Sequence, residues 1–342
     1  MKYFILTMAI IGITGCHSIS QSSLMTYEQA QSAYQGYLLD LAESSIARLD
    51  PKLHKEDNTE YIQSLLDSEI GVLIIPAQPG PWTTGPLFIN RDNLTILFEP
   101  DARLEAIKEG FQGRNDCLIT VRDRKNITLK GFGAGEGLYM RKKDYSHLPY
   151  PESEWRHCLS LRSTEKIIVE GLTLSSSGGD GIYLGLSRSM GSNNYCLDTV
   201  IRDCLISDNR RQGISVISAE NLLIQNVTCR DTRGTLPKAG IDFEPNNPSE
   251  RLINCRVIDS NFISNRGPGI HIYLKQFDET TRPLDLYFEG NYCRKNLLGI
   301  GINLTQLQNK PRGSVTFKDN DFGRSPFNKI PRNKSLEIIE LN

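Results

Sequence analysis

Gly181-Ile-Tyr-Leu, Gly213-Ile-Ser-Val, Gly240-Ile-Asp-Phe, Gly269-Ile-His-Ile and Gly299-Ile-Gly-Ile are five copies of one pattern, 32, 27, 29 and 30 residues apart. A second element keeps similar spacing: Val169-Glu-Gly-Leu-Thr-Leu, Ile201-Arg-Asp-Cys-Leu-Ile, Ile224-Gln-Asn-Val-Thr-Cys, Val257-Ile-Asp-Ser-Asn-Phe, Phe288-Glu-Gly-Asn-Tyr-Cys and Phe317-Lys-Asp-Asn-Asp-Phe. Polar turn residues such as Ser207-Asp-Asn-Arg and Ser264-Asn-Arg-Gly lie between the two. Short strands, Gly/Asn/Asp turns and a period near 30 with no helix inside it predict an all-β solenoid, a right-handed single-stranded parallel β-helix. Leucine-rich repeats are shorter, and helical repeats carry a 3.6-residue period.

Upstream the pattern changes. Ala30, Tyr34, Tyr37, Leu38, Leu41 and Leu49 recur at helical spacing, which predicts a helix over 26–49 stopped by Pro51. A second helix is expected over 59–70, with Asn58 or Thr59 as N-cap and Gly71 just past its end. Strands are expected at Val72–Ile75, Leu87–Ile89 and Leu94–Phe98. An open solenoid end exposes unpaired strand edges, so the segment 26–71 reads as an N-terminal helical cap and 72–342 as the β-helix domain. At the start, Met1-Lys2, the apolar run Tyr3–Thr14 and Ile13-Thr14-Gly15-Cys16 have the form of a signal peptide. With Cys16 directly after a small residue, the segment resembles a bacterial lipobox. That resemblance implies removal of residues 1–15, a lipid on Cys16, a polar tether over 16–25 and a membrane-anchored, exported protein of the cell envelope.

Lys and Arg number 39 against 40 Asp and Glu, for a net charge of −1, so no basic footprint for nucleic acid exists. Hydrophobic residues are 39% and charged residues 23%, which argues against a disordered chain and a polytopic membrane protein. Seven cysteines follow Cys16, with no closely spaced pair to hold zinc. Cys229 and Cys293 end copies of the second element where Leu174, Ile206 and Phe262 stand elsewhere, so they read as small buried apolar residues.

The segments Val72-Leu-Ile-Ile-Pro, Asn93-Leu-Thr-Ile-Leu-Phe-Glu-Pro-Asp-Ala-Arg-Leu-Glu-Ala, Asn126-Ile-Thr-Leu-Lys-Gly-Phe-Gly and Gly179-Asp-Gly-Ile-Tyr resemble pectin-lyase-like β-helix enzymes, particularly polygalacturonase-type glycoside hydrolases. The resemblance covers roughly residues 58–325 and implies a carbohydrate-active scaffold. The Asp-Asp, Gly-His-Gly and Arg-Ile-Lys motifs of polygalacturonases are missing, as are the Arg-x-Pro-x-x-Arg of pectate lyases and the Asp-Pro-His-Asp of alginate epimerases. No catalytic residue therefore carries over by motif.

The repeat register supplies candidates of its own. Side chains alternate along a strand, so each repeat Ile and the residue two later should face the core. A first outward column is then Tyr183, Ser215, Asp242, His271 and Gly301, and a second is Gly185, Ile217, Glu244, Tyr273 and Asn303, both expected to face solvent. Asp242 and Glu244, two residues apart on one strand, should lie about 6.6 Å from each other, with His271 one coil, about 4.8 Å, away. Lys275 continues the row. Arg210 and Arg211, ending the turn before Gly213, could hold a sugar carboxylate or sulfate. Asp180 either lines the site or caps a turn. The insertion Tyr139–Trp155, with His147 and then His157 near it, could wall a groove or simply shield an edge.

A close carboxylate pair suits glycoside hydrolysis, and a separation near 6.5–9.5 Å suits the inverting form. The expected function is cleavage of a polysaccharide with Asp242 and Glu244 as acid and base, His271 assisting, and Tyr183 and Tyr273 stacking on sugar rings. Two other readings stand. One is a polysaccharide lyase or epimerase acting on uronic acids, with Lys275, His271 or a tyrosine as base and Arg211 or a bound Ca²⁺ neutralising the carboxylate. The other is a non-catalytic glycan-binding surface lipoprotein. For the hydrolase no cofactor is expected, and no calcium loop of EF-hand spacing is present.

Overall fold

The computed structural model describes residues 25–41, 45–303, 311–323 and 335–341. The expected signal peptide, the lipid-bearing Cys16 and all of the tether but Met25 lie outside them. No described helix is long and apolar enough to cross a membrane.

Three parallel sheets of 11, 8 and 8 strands run the length of the molecule, and successive windings of the chain add one strand to each. The expected right-handed β-helix is the observed fold. The Gly-Ile strands stack in one sheet of eight: Leu159 pairs with Ile182, then Ile214, Ile241, Ile270 and Ile300 follow in register. The repeat exists because a Cβ on Gly213 would meet the Gly240 carbonyl, and one on Gly240 the Gly269 carbonyl. Backbones of adjacent coils approach too closely there for any side chain. The second element is a corner. Val169-Glu170 ends a strand of the 11-stranded sheet, and Thr173–Ser175 opens one in the third sheet. The corner residue has φ of +48° to +65° at Gly171, Asp203, Asn226, Asp259 and Gly290, which explains the Gly/Asn/Asp choice.

Inside, Leu184, Val216, Phe243 and Ile272 are fully buried; Phe243 meets Phe288 edge to face with ring centroids 5.7 Å apart, and Phe288 stacks on Phe317 at 5.1 Å. Cys229 and Cys293 are buried and unpaired in the column with Ile206 and Phe262, as expected.

The N-terminal segment departs from expectation. The helix α1 spans Tyr27–Asp40, capped by Thr26 and Gln29, and ends nine residues before Leu49. Ile46–Arg48 is a strand paired in parallel with Val72–Ile74, so the β-helix begins before residue 72. Nor does α1 cover the open end. Ala30 and Tyr34 pack on Val72, Ile74, Leu97 and Phe132, the outer face of the large sheet. The second helix, α2 (Thr59–Leu66), is shorter than expected but is a cap. Its Gln63 donates to the Phe88 carbonyl at 2.9 Å and accepts from the Phe88 N–H at 2.9 Å, closing the free edge of the strand Leu87–Ile89 with a side-chain amide.

Candidate active site

The Gly-Ile sheet presents a polar column to its outer side: Ser160, Tyr183, Ser215, Asp242 and His271 in direct register. Glu244 lies one residue past the strand Ile241–Phe243, but its N–H still donates to the Val216 carbonyl at 3.0 Å, so the register extends to it. Asp180 and Gln212 precede Ile182 and Ile214 by two residues and form a third column with His157.

These groups meet. The Arg211 guanidinium donates to both oxygens of Glu244, at 2.6 and 2.8 Å. It also lies 3.7 Å from Asp180 Oδ2 and 3.3 Å from a Glu154 oxygen. Gln212 Nε2 donates to Asp242 Oδ2 at 2.8 Å and reaches Glu244 Oε1 at 3.3 Å. The Ser215 hydroxyl lies 2.9 Å from Asp180 Oδ2 and 3.4 Å from Glu244 Oε1, so one hydroxyl joins two carboxyl groups. Asp242 Oδ1 is 2.9 Å from His271 Nδ1. The Tyr273 ring is 6.0 Å from the His271 ring, and Tyr183 stacks on His157 at 4.7 Å.

The expected solvent exposure of these columns is overturned. Asp180, Gln212, Ser215, Ile217 and Asp242 are buried, because the long side chains of Arg211 and the neighbouring coils close over them. Glu244 and His271 keep 16% and 12% of their side chains open, so they, and not Asp242, face the exterior. Asp242 thus stands behind His271 and does not form an open pair with Glu244. Arg210 leaves the site: its guanidinium bonds to Thr235 at 3.2 Å and Ser146 at 2.5 Å. Lys275 lies beyond the end of its strand at Tyr273, exposed, and makes no ion pair with these carboxylates. Asp180 is buried in the cluster, against Ser215 and Arg211.

Burial sets the protonation of the cluster. It pushes the Asp180 carboxyl up to about 8, although Arg211 pulls the other way. Glu244 is raised by burial and by the charge of Asp242, against the Arg211 fork. For His271, burial favours the neutral ring, but the contact and charge of Asp242 outweigh it and raise the pKa above 6.5. His157, fully buried, is held neutral, first by burial and then by Arg162 and Arg211. Its Nδ1 accepts the Asp180 N–H at 3.0 Å, which leaves the ring proton on Nε2.

A folded-state carboxyl pKa near 8 against 3.8 means that the folded protein binds the extra proton between those values. Stability from this group therefore falls as pH rises from about 4 to about 8. The raised His271 pKa acts in the same direction, its contribution being lost as pH rises through the folded value. Asp180→Asn should remove its share of the slope, on the order of 1 kcal/mol per pH unit. Thermal unfolding of both proteins at stepped pH checks this; parallel curves would contradict it.

Register alone could have found Gln212 and Ser215. It could not have found His157, whose strand lacks the Gly-Ile dipeptide, nor Glu154, carried on the insertion. That insertion does wall the site. Arg156, which directly follows it, is buried, donating to the Phe111 and Pro151 carbonyls at 2.8 and 2.9 Å. A Cβ on Gly179 would strike the Glu154 carbonyl, so the loop seats directly before Asp180. Cavities of about 580 and 400 Å³ lie elsewhere, around the turn Lys295–Leu297. No metal-ligating cluster occurs among the described residues.

A family model described as the right-handed beta helix region matches residues 152–330. The chain belongs to this family. No curated protein matches this β-helix protein. Among solved structures, a polygalacturonase from Erwinia carotovora ssp. carotovora is 12% identical, with a TM-score of 0.52 over 87% of this chain and 92% of that one. Tailspike protein 2 of an Escherichia coli O157:H7 bacteriophage is 13% identical, with a TM-score of 0.53 over 83% and 35%. An iota-carrageenase complexed to iota-carrageenan fragments is 14% identical, with a TM-score of 0.47 over 82% and 57%. The β-helix protein spans little more than half the length of that carrageenase. At such identities the likeness is one of fold, and the fold is the pectin-lyase-like β-helix that the sequence resembled.

Proposed function

We propose that this protein is an exported enzyme that cleaves a polysaccharide by hydrolysis on the outer face of the Gly-Ile sheet. One observation carries the reading: Asp180, Asp242 and Glu244 are gathered within reach of Arg211, Gln212 and Ser215 and largely shut off from water. Burying carboxylates costs stability unless each is fully compensated. The fold has no need of them there, since the same columns carry Ser, Thr and Gly in other coils. Groups with pKa values moved apart in one place are what acid–base chemistry requires.

The roles follow from access. His271, kept protonated by Asp242, donates a proton to the leaving glycosidic oxygen. Glu244, its pKa raised toward neutrality, takes a proton from a water that attacks the anomeric carbon. The oxygen of water joins the sugar, its proton passes to Glu244, and the His271 proton leaves on the released hydroxyl. Asp242 is a positioning residue acting through His271. A polymer lying across the sheet meets the exposed parts of Glu244 and His271. The N-terminal segment, with Cys16, supports export and lipid anchoring.

The test is product analysis on polygalacturonate, iota-carrageenan and neutral galactan. New reducing ends without ultraviolet absorbance from a conjugated double bond are expected. An unsaturated product would replace hydrolysis by elimination, and binding without turnover would favour a glycan-binding protein.

A further inference from the structure

Trp155 is the feature that the catalytic reading leaves unexplained. The chain has two tryptophans. Trp82 is fully buried, with its indole N–H donating to the Pro76 carbonyl at 2.9 Å. Trp155 is 43% exposed, and its indole N–H has no partner among the described residues. A single exposed aromatic is ordinary on a protein surface. This one stands on a rigid mount. The next residue is the buried Arg156, whose guanidinium lies against the edge-on pair Tyr145 and Tyr150, 5.5 and 5.7 Å from their ring centres. The preceding residue, Glu154, reaches Arg211, which holds Glu244. The Trp155 carbonyl also meets the buried Cys117 thiol at 3.4 Å. The chain is therefore held on both sides of Trp155, and on one of them by a residue that reaches the carboxyl cluster.

We propose that Trp155 is a sugar-binding platform of the site, on which a pyranose ring of the glycan stacks its C–H face. This rests on the reading of the protein as a glycan-cleaving enzyme and extends it to a specific contact beside the reacting bond. A flat, amphipathic ring that loses little conformational freedom on binding gives a large contact area at low entropic cost. Its free N–H can donate to a sugar hydroxyl. The platform selects a pyranose with an unbroken C–H face and holds it near Glu244 and His271.

Because Trp82 is sealed in the core, a ligand-dependent change in tryptophan emission reports on Trp155 alone. Polygalacturonate, iota-carrageenan oligosaccharides, neutral galactan and maltohexaose are titrated into wild type, Trp155→Ala and Trp155→Phe. With the glycan that the protein recognises, a saturable change in wild-type emission is expected, absent in Trp155→Ala. For a glycan that is turned over, Trp155→Ala should raise KM about tenfold with kcat within about twofold, and Trp155→Phe, which keeps a ring, should recover most of the loss. Turnover without an emission change, or with an unaltered KM in Trp155→Ala, overturns the platform and leaves the catalytic reading standing. Saturable emission change without turnover of any glycan supports the platform and removes the catalytic reading. No emission change with any of the four overturns the platform.

Discussion

Arg211→Ala should destabilise the protein by about 3–5 kcal/mol at neutral pH, the cost of stripping the cation from a buried pair. Among the described residues Arg211 is the one cation in contact with Asp180, Glu154 and Glu244 together, and it makes a two-point fork to the last. Without it, the charge of Asp242, which raises the Glu244 pKa, is no longer opposed by the guanidinium fork. The folded-state pKa of Glu244 then rises further, so the variant should regain stability as pH falls, because protonation of Glu244 removes the repulsion. Arg211→Lys restores charge without the planar fork and should recover only part of the loss. Urea unfolding at pH 7 and pH 5 measures both effects. A loss below about 1 kcal/mol, or one independent of pH, would show that the carboxyl groups do not depend on this cation.

His271→Gln should lower turnover of the glycan substrate by about 10²–10⁴-fold, the usual worth of a positioned general acid. The wild-type rate should fall on the alkaline side as His271 loses its proton, at a pH above the ordinary imidazole value because Asp242 raises it. Asp242→Asn removes that charge while keeping the shape, so the alkaline limb should move to lower pH in a protein that still folds. In His271→Gln the limb should vanish. The pH–rate profiles of the three proteins decide it: an alkaline limb that stays in place in both variants would assign the acid to another group.

The Gly-Ile repeat was legible because its cause is local: each glycine marks a backbone approach that recurs once per coil. The same register placed Asp242 beside His271 correctly, since parallel pairing without slippage turns sequence interval into neighbourhood. Burial was not legible. Whether an outward residue meets water depends on what the coils above and below lay over it, and here Gln212 and His271 lie against Asp242. Arg210 and Arg211 are adjacent in sequence, yet the turn sends one to Ser146 and the other to Glu244. The place of α1 had a signal that periodicity hid. Val72-Leu-Ile-Ile is apolar at every position, as expected of a strand covered on both faces. The strand Ile46–Arg48 is three residues long and exists through its pairing with Val72–Ile74, which no local pattern announces.

The most direct test of the account measures turnover and stability together in wild type, Asp242→Asn and Glu244→Gln. Buried carboxyl groups kept for chemistry predict variants that fold, melt at or above the wild-type temperature and lose at least about a hundredfold in glycan cleavage. Variants that keep full turnover, or that unfold with no effect on the rate of the molecules still folded, would mean that these groups serve the fold and that the reaction takes place elsewhere.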